Sequence, residues 1–545
     1  MELIPIMASH RKSDMSAVPD VRRAVCSDPQ SARRIWRGAL CLSASTLSLL
    51  IALGSAAQAQ DQQGTEPARA AGWQYSANTN AAFTLTDNVL LTQLNAESDF
   101  ITSLTAGAQV FNETRGGSIE FNYQLNYDFY ANTDELNGFR HSLLTQNTFN
   151  LVDDLIFLDV NASIREQAAT RNLRTPATTR TINSNQIMVL ASSIAPYIDT
   201  TIAGRVGVLA RVDYSTVSFR RPDVSGSSGS GDDDTIWSGN FMVNELDQDK
   251  RLHWEFSGQA SADDDDLEQQ RTNLALRLRM TQNSRLLARG GHDKTDGRTN
   301  GRDIDDVFWR LGVELEPVRD SYIRIEAGER FGGPSYDAEV RYDVARALRI
   351  TASYVQELRT DQNRFVDMLN SLEPVFLGSS SFSLIVEDPN APYFDLVFEG
   401  DITEELTITD TAKLTLSGGL GRIRYSLTGS YQTREFEELP GLGGPFEEEA
   451  TNVSLAIVRD FGRRTQAGIN MQYVDEESDL PVLGGGPLAI NLARVIDSIS
   501  GSVFASYSLS PTATLQADYI WSRREDQDEV EVEENVLMLT ITKVW

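Results

Sequence analysis

The chain has 545 residues, a formal net charge of −30 and a hydrophobic fraction of 41%. Such an acidic balance excludes a nucleic-acid partner, which needs a basic face. No apolar run of about 20 residues follows residue 60, so no helix beyond that point is expected to cross a bilayer. A membrane protein of this composition has to be a β-barrel, whose strands send only alternate residues toward lipid.

Both cysteines, Cys26 and Cys41, lie before residue 60. The remaining chain therefore has no thiol for a disulfide, a nucleophile or a metal. The four histidines, His10, His141, His253 and His292, show no metal-binding spacing. No G-x-S-x-G, P-loop or dinucleotide fingerprint is present. His253 with Glu255 is the nearest approach to an acid–base pair, and such i, i+2 neighbours are commonplace on strands. We expect no catalytic residue, no cofactor, no metal site and no enzyme activity.

At the start of the chain, Arg33, Arg34 and Arg37 precede the apolar stretch Ala39 to Ala52, and Ala57-Gln58-Ala59 is a small-x-small cleavage sequence. The pattern predicts a signal peptide over residues 1–59, cut after Ala59, with Met15 as an alternative start. A short periplasmic segment, 60–72, follows. Residues 1–59 hold seven Lys/Arg and four Asp/Glu, which leaves 41 basic and 74 acidic residues after the cut, a net of −33.

Residues 73–545 then alternate with period two. The clearest segment sets Ile119, Phe121, Tyr123, Leu125, Tyr127 and Phe129 against Glu120, Asn122, Gln124, Asn126 and Asp128. A strand with lipid on one side and a wet lumen on the other needs that arrangement. Counted along the chain, strands fall at 73–85, 98–107, 119–129, 139–151, 155–166, 184–195, 201–217, 234–244, 251–262, 270–281 and 285–293. The rest fall at 305–316, 321–331, 335–343, 347–358, 408–418, 422–434, 449–460, 465–475, 496–508, 513–524 and 534–545. The prediction is an all-β, antiparallel up-and-down transmembrane barrel of 18–22 strands, with 22 the best count. Both termini are expected in the periplasm.

The links support the same phase. After most even-numbered strands they are short, as at Asn112–Gly116, Val152–Asp154 and Phe461–Arg464. After most odd-numbered strands they are long and polar, as at Gln167–Asn183, Phe219–Asp233 and Glu476–Val495. One link, Gly332–Pro334, is short where a long one is expected. Another, 359–407, is much the longest and reads either as an external loop or as a constriction folded into the pore.

Two stretches carry resemblances. The last strand, Val536 to Trp545, is apolar and ends on an aromatic residue, which resembles the C-terminal signal strand of bacterial outer-membrane barrels. The resemblance implies that Trp545 is read by the outer-membrane assembly machinery. The opening Thr86-Asp87-Asn88-Val89, followed by Glu97-Ser98-Asp99-Phe100-Ile101-Thr102, resembles the β-barrel porin family found beside bacterial exopolysaccharide gene clusters. Membership would imply an outer-membrane protein that assists polysaccharide export, with a polysaccharide-export apparatus as a partner and no catalytic residues.

Candidate pore-lining residues follow from alternation. With Val206, Val208, Ala210 and Val212 toward lipid, Arg205 and Arg211 face the lumen, and with Leu274, Leu276 and Leu278 outward, so do Arg277 and Arg279. Arg289, Arg310, Arg324 and Arg424 join them by the same logic. Their guanidinium forks suit carboxylate or phosphate oxygens of an anionic solute. Alternatively they pair with lumenal Glu255, Glu314, Glu316 and Glu326 and brace the wall. Acidic clusters at Asp232–Asp234, Asp263–Asp266, Glu447–Glu449 and Glu529–Glu534 lie in or beside the long links. They would either hold divalent cations that bridge lipopolysaccharide phosphates or repel other surfaces. The expected function is passage of polysaccharide or anionic solutes across the outer membrane, among its lipid and lipopolysaccharide. The alternative is a closed structural or adhesive barrel that works through its acidic loops.

Overall fold

A computed structural model describes residues 72–93, 95–168, 186–220, 233–247, 250–264, 267–296, 304–318, 321–345, 347–360, 407–436, 446–478, 494–526 and 531–545. The expected signal peptide, the segment before Gly72 and most of the 359–407 link lie outside these residues.

Among the described residues there are twenty-two strands. They are β1 (Gly72–Thr86), β2 (Asp99–Thr114), β3 (Gly117–Tyr130), β4 (Gly138–Val152), β5 (Ile156–Ala168), β6 (Gln186–Ile202), β7 (Val206–Arg220) and β8 (Asp233–Glu245). Next come β9 (Leu252–Asp263), β10 (Glu268–Thr281), β11 (Ser284–Asp296), β12 (Asp305–Leu315), β13 (Tyr322–Arg330), β14 (Gly333–Ala345) and β15 (Leu348–Arg359). The last seven are β16 (Thr407–Leu420), β17 (Ile423–Phe436), β18 (Phe446–Asp460), β19 (Thr465–Ser478), β20 (Arg494–Ser510), β21 (Ala513–Asp526) and β22 (Glu531–Val544). Each pairs antiparallel with its neighbours in sequence, and β1 pairs with β22 from Asn78↔Val544 to Thr86↔Val536, which closes the sheet into a barrel. The best count from the sequence is met.

Three boundaries differ from expectation by five residues or more: β2 runs past the expected end at Gly107 to Thr114, and the β6–β7 junction moves at both of its ends. The strand expected at 201–217 begins at Val206, because β6 runs on to Ile202 and a turn at Ala203-Gly204 with positive φ (52° and 64°) intervenes. Pro196 sits inside β6 because the β6–β7 ladder omits Ala195 and Pro196, so its missing N–H leaves no bond unmade.

Alternation sorts the faces as read from the sequence. On β3, Phe121 and Phe129 are exposed on the outer surface, whereas Glu120, Asn122 and Asp128 are buried on the inner one. Exposed apolar side chains continue around the outside at Val212, Phe256, Leu274, Leu311, Ile325, Leu414, Met471 and Leu539. Exposed aromatics stand near both ends of this band: Trp73, Tyr75, Phe461 and Tyr507 beside the short links, and Phe139, Trp237, Tyr336 and Tyr431 toward the long ones.

The Asp87-Asn88-Val89 turn and the Ser98-Asp99-Phe100-Ile101 segment build one corner of the long-link end. Val89, Ile101 and Tyr130 are fully buried together, with Leu90 and Leu136 against them. The Asp99 carboxylate accepts the backbone N–H groups of Ala131 and Asn132 at 3.0 Å each, and that of Thr133 at 3.0 Å. It thereby ties the β3–β4 link down over β2.

Candidate functional site

The inner wall of β10–β14 carries the densest set of charges among the described residues. Asp293 on β11 is 2% exposed. It accepts Arg271 Nε from β10 at 2.7 Å and is forked by Arg330 from β13, Nε to Oδ2 at 2.7 Å and Nη2 to Oδ1 at 3.1 Å. The Arg330 guanidinium lies 4.8 Å from the Phe308 ring centre and 4.4 Å from that of Phe331. Aromatic faces thus cover the cation while the carboxylate neutralises it.

Lower on the same wall, Glu326 takes Arg289 at 3.4 Å and Arg324 at 3.7 Å. Arg324 also reaches Asp337 at 3.0 Å and Glu339 at 3.5 Å. Arg310, 2% exposed, reaches Asp337 at 3.4 Å and donates to the Ser335 hydroxyl through Nε at 3.1 Å and Nη2 at 2.5 Å. Nearest the short links, Arg285 bridges Glu314 and Glu316, the latter at 2.7 Å. Beside that bridge a recess of about 690 Å³ opens between Asn283, Glu316, Ser321, Tyr322, Glu339 and Arg341.

The expected residues therefore separate into groups. Arg289, Arg310 and Arg324 are lumenal and ion-paired, which is the bracing arrangement, with Glu314, Glu316 and Glu326 among the acids engaged. Glu255 makes no ion pair among the described residues. Arg211 braces another part of the wall, with Asp159 and with Asp213 at 3.3 Å, and lies 5.4 Å from the Tyr197 ring centre. Arg424 pairs with Asp460 at 3.6 Å, both half-exposed. Arg277 is exposed on the inner face and makes no ion pair among the described residues; Arg279 follows it on that face. Arg205 departs from the expectation: it belongs to the turn between β6 and β7, exposed at the rim, because β7 begins one residue later.

Sequence reasoning missed Arg271, Arg285 and Arg330, and also Arg140, which pairs with the buried Asp128. Alternation places each of them on the inner face, so the signal was available. It missed Asp293, the partner of Arg271 and Arg330, and Asp337, the partner of Arg310 and Arg324, as well.

The wall flanking the β1–β22 seam is richer in amides, alongside the buried acids Glu120 and Asp128 on β3, Asp518 on β21 and Glu534 on β22. Inward positions there are Asn78 and Asn80 on β1, Asn122, Gln124 and Asn126 on β3, Asn470 and Gln472 on β19, Ser502 on β20, and Gln516 on β21. Of the acidic clusters, Asp234 is buried, Glu448 pairs with Arg434 at 3.6 Å, and Glu531 with Arg523 at 3.1 Å. No group of three or more His, Asp or Glu close enough to hold a metal occurs among the described residues. Trp545 lies at the seam, where its N–H donates to the Ala77 carbonyl at 2.7 Å and the Lys543 ammonium stands 5.0 Å from its ring centre.

Fold and wall together define a closed antiparallel barrel of 22 strands with an apolar exterior and a polar, ion-braced interior. No protein-family model matches the chain, and no curated protein does. Among solved structures it is similar to the siderophore receptor PirA from Acinetobacter baumannii, with a TM-score of 0.47 and 6% identity over 86% of this chain and 80% of that one. It is also similar to the ferric-catecholate import receptor Fiu from E. coli (0.45, 8% identity, 89% and 82% covered). A third is OpdK of Pseudomonas aeruginosa with vanillate (0.34, 8% identity, 86% and 99% covered). At these scores the likenesses carry no argument about function.

Proposed function

We propose that the chain is a bacterial outer-membrane channel that passes polar solutes, with polysaccharide or anionic oligosaccharide as the favoured class. The observation that supports this most is the two-sided inner wall. Paired arginines brace β10–β14, while amides and hydroxyls, with the acids Glu120, Asp128 and Asp518 among them, line the side around β1, β3 and β19–β21. Amides and hydroxyls exchange hydrogen bonds with sugar hydroxyls at little net cost. Arg277, exposed and without a carboxylate partner among the described residues, adds positive potential to the path. The apolar outer band and the two sets of aromatics support membrane insertion. The resemblance of the Asp87-Asn88-Val89 and Ser98-to-Thr102 stretches supports the polysaccharide assignment. The long links would face outward from the cell and the termini the periplasm, with residues 1–59 as the export signal.

The test is single-channel conductance of the protein in a planar bilayer, with an anionic oligosaccharide added. Stable conductance that the oligosaccharide blocks is expected. Conductance without block would leave a general porin. The buried state of Asp293, Arg310 and Glu326 favours a second reading, a barrel filled by its own side chains, and absence of conductance would select it.

A further inference from the structure

In a chain of net charge −30, one place on the short-link end is basic. Arg422, Arg424, Arg459, Arg463 and Arg464 fall in or beside two neighbouring links, Gly421-Arg422 after β16 and Phe461–Arg464 after β18. The Asp460 N–H donates to the Arg422 carbonyl at 2.9 Å, so the two links adjoin. One carboxylate, that of Asp460, stands among the five, and Arg424 holds it at 3.6 Å. Arg422, Arg459, Arg463 and Arg464 are exposed and make no ion pair among the described residues. At two other short links a carboxylate answers the cation: Asp153 lies 3.6 Å from Arg115, and Glu245 lies 2.5 Å from Lys250.

Arg459 is set apart by its direction. It lies opposite Ile423 on β17 and Ala467 on β19, both on the lipid-facing side, so alternation turns it outward. Among outward positions near the short-link ends of the described strands the other cation is Lys543, which donates to the Thr512 hydroxyl at 2.5 Å. Arg459 has an aromatic neighbour instead. Its guanidinium lies 5.0 Å from the ring centre of Phe461, which is 57% exposed among the short-link aromatics. Arg463 follows with the same parity, so Phe461 is flanked by two cations. A guanidinium at the edge of the hydrocarbon is costly unless it reaches water or an anion, and its planar fork matches a phosphate.

Small residues shape the surface alongside. Ala467, Ala505 and Ala517 lie side by side across β19–β21 in the outward row that starts at Arg459. The exposed Val503 stands in the row above, and the exposed Tyr507 in the row below. A row that carries only methyl groups between bulkier rows leaves a furrow in the apolar surface.

We propose that this corner binds an anionic phospholipid of the periplasmic leaflet, with a diphosphate lipid of the cardiolipin type as its occupant. Arg459 takes one phosphate from the membrane side, and the arginines at the tips of the two links take the other from the water side. One acyl chain lies along the alanine furrow. The unpaired charge favours this lipid over a zwitterionic one. Position at the short-link end favours it over lipopolysaccharide, whose phosphates belong to the opposite leaflet. The inference rests on the membrane-spanning reading above, with the short links toward the periplasm.

The test reconstitutes the full chain in vesicles of phosphatidylcholine, cardiolipin and lipopolysaccharide and washes them at alkaline pH. Native mass spectrometry of the extracted barrel then reads the lipid it retains, and titration with cardiolipin gives an apparent affinity. Cardiolipin should be retained above its share of the vesicle. In Arg459→Gln/Arg463→Gln the affinity should fall roughly thirtyfold, the ratio that ~2 kcal/mol gives for two arginines near an anionic headgroup. Lys250→Gln/Arg251→Gln, the same charge change at another short link, should leave it unmoved. Arg459→Lys alone, which keeps the charge and loses the fork, should fall between the two. Retention of lipopolysaccharide instead, no excess of cardiolipin over phosphatidylcholine, or an equal loss in both double variants overturns the proposal and leaves the membrane barrel standing. A chain that the alkaline wash strips from the vesicles overturns both.

Discussion

Asp87 holds Asn535 with both carboxylate oxygens: Oδ1 accepts the backbone N–H at 2.7 Å and Oδ2 the side-chain amide at 2.8 Å. The next residue, Asn88, donates to the Glu533 carbonyl at 3.0 Å and both donates to and accepts from the backbone of Thr92 at 2.9 Å. These contacts latch the first link onto the last strand just above the point where the β1–β22 ladder ends at Thr86↔Val536. Asn88 is buried and Asp87 is exposed, so the two are expected to differ. Asn88→Ala should cost ~2 kcal/mol of unfolding free energy and Asp87→Ala ~1 kcal/mol. Urea unfolding followed by the gel shift of the folded barrel reads both. Equal, negligible losses would remove the latch.

Asp293 is the common partner of Arg271 and Arg330, so its loss leaves two arginines facing each other. Asp293→Ala should destabilise by ~3–5 kcal/mol, as breaking a buried pair from one side does. Arg330→Met keeps an apolar body between Phe308 and Phe331 and should cost clearly less. The ordering of the two variants in the same unfolding experiment decides the matter. Arg330→Met as the worse of the two would place the stability in the aromatic contacts instead.

Arg277 makes the opposite case. Arg277 is exposed and Arg277→Gln should leave stability within ~0.5 kcal/mol. The double variant Arg277→Gln/Arg279→Gln should shift ion selectivity toward cations. An unmoved reversal potential under a salt gradient would show that these arginines stand outside the ion path.

Phe331 occupies the left-handed region at φ 55°, a conformation that costs a non-glycine residue ~1–3 kcal/mol. Its ring packs with Ile304, Leu358 and Ile408, and truncating a buried Phe costs ~3–5 kcal/mol. Packing outweighs strain, so Phe331→Gly should be net destabilising by ~2 kcal/mol. A stabilised Phe331→Gly barrel would reverse that ranking.

Much of the fold was legible because the signals that set it are local. A strand's two faces are written in alternate residues, and the link after each strand declares itself by length and by Gly, Asp or Asn. All 22 strands, their phase and the unusual shortness of the Phe331-Gly332 link could be read in this way. The site was less legible. Alternation puts Arg310 and Arg324 on the inner face, but only register puts both beside Asp337, and register comes from the paired strands together. Arg205 was misplaced for a related reason: with Ala203 and Gly204 both at positive φ, the chain turns at 203–205, inside what the hydrophobic pattern reads as one strand from 201.

The nearest-neighbour pairing has a consequence for how the chain is threaded. Because β1 lies beside β22 just as every other strand lies beside its successor, the ring has no privileged first strand. A circular permutant that joins the end of β22 to β1 and opens at the Gly421-Arg422 turn would preserve every ladder. Only the site of the final closure would move, from the Asp87–Asn535 latch to a seam between β16 and β17 that has no such clasp. Such a permutant would separate what the barrel needs in order to stand from what it needs in order to shut.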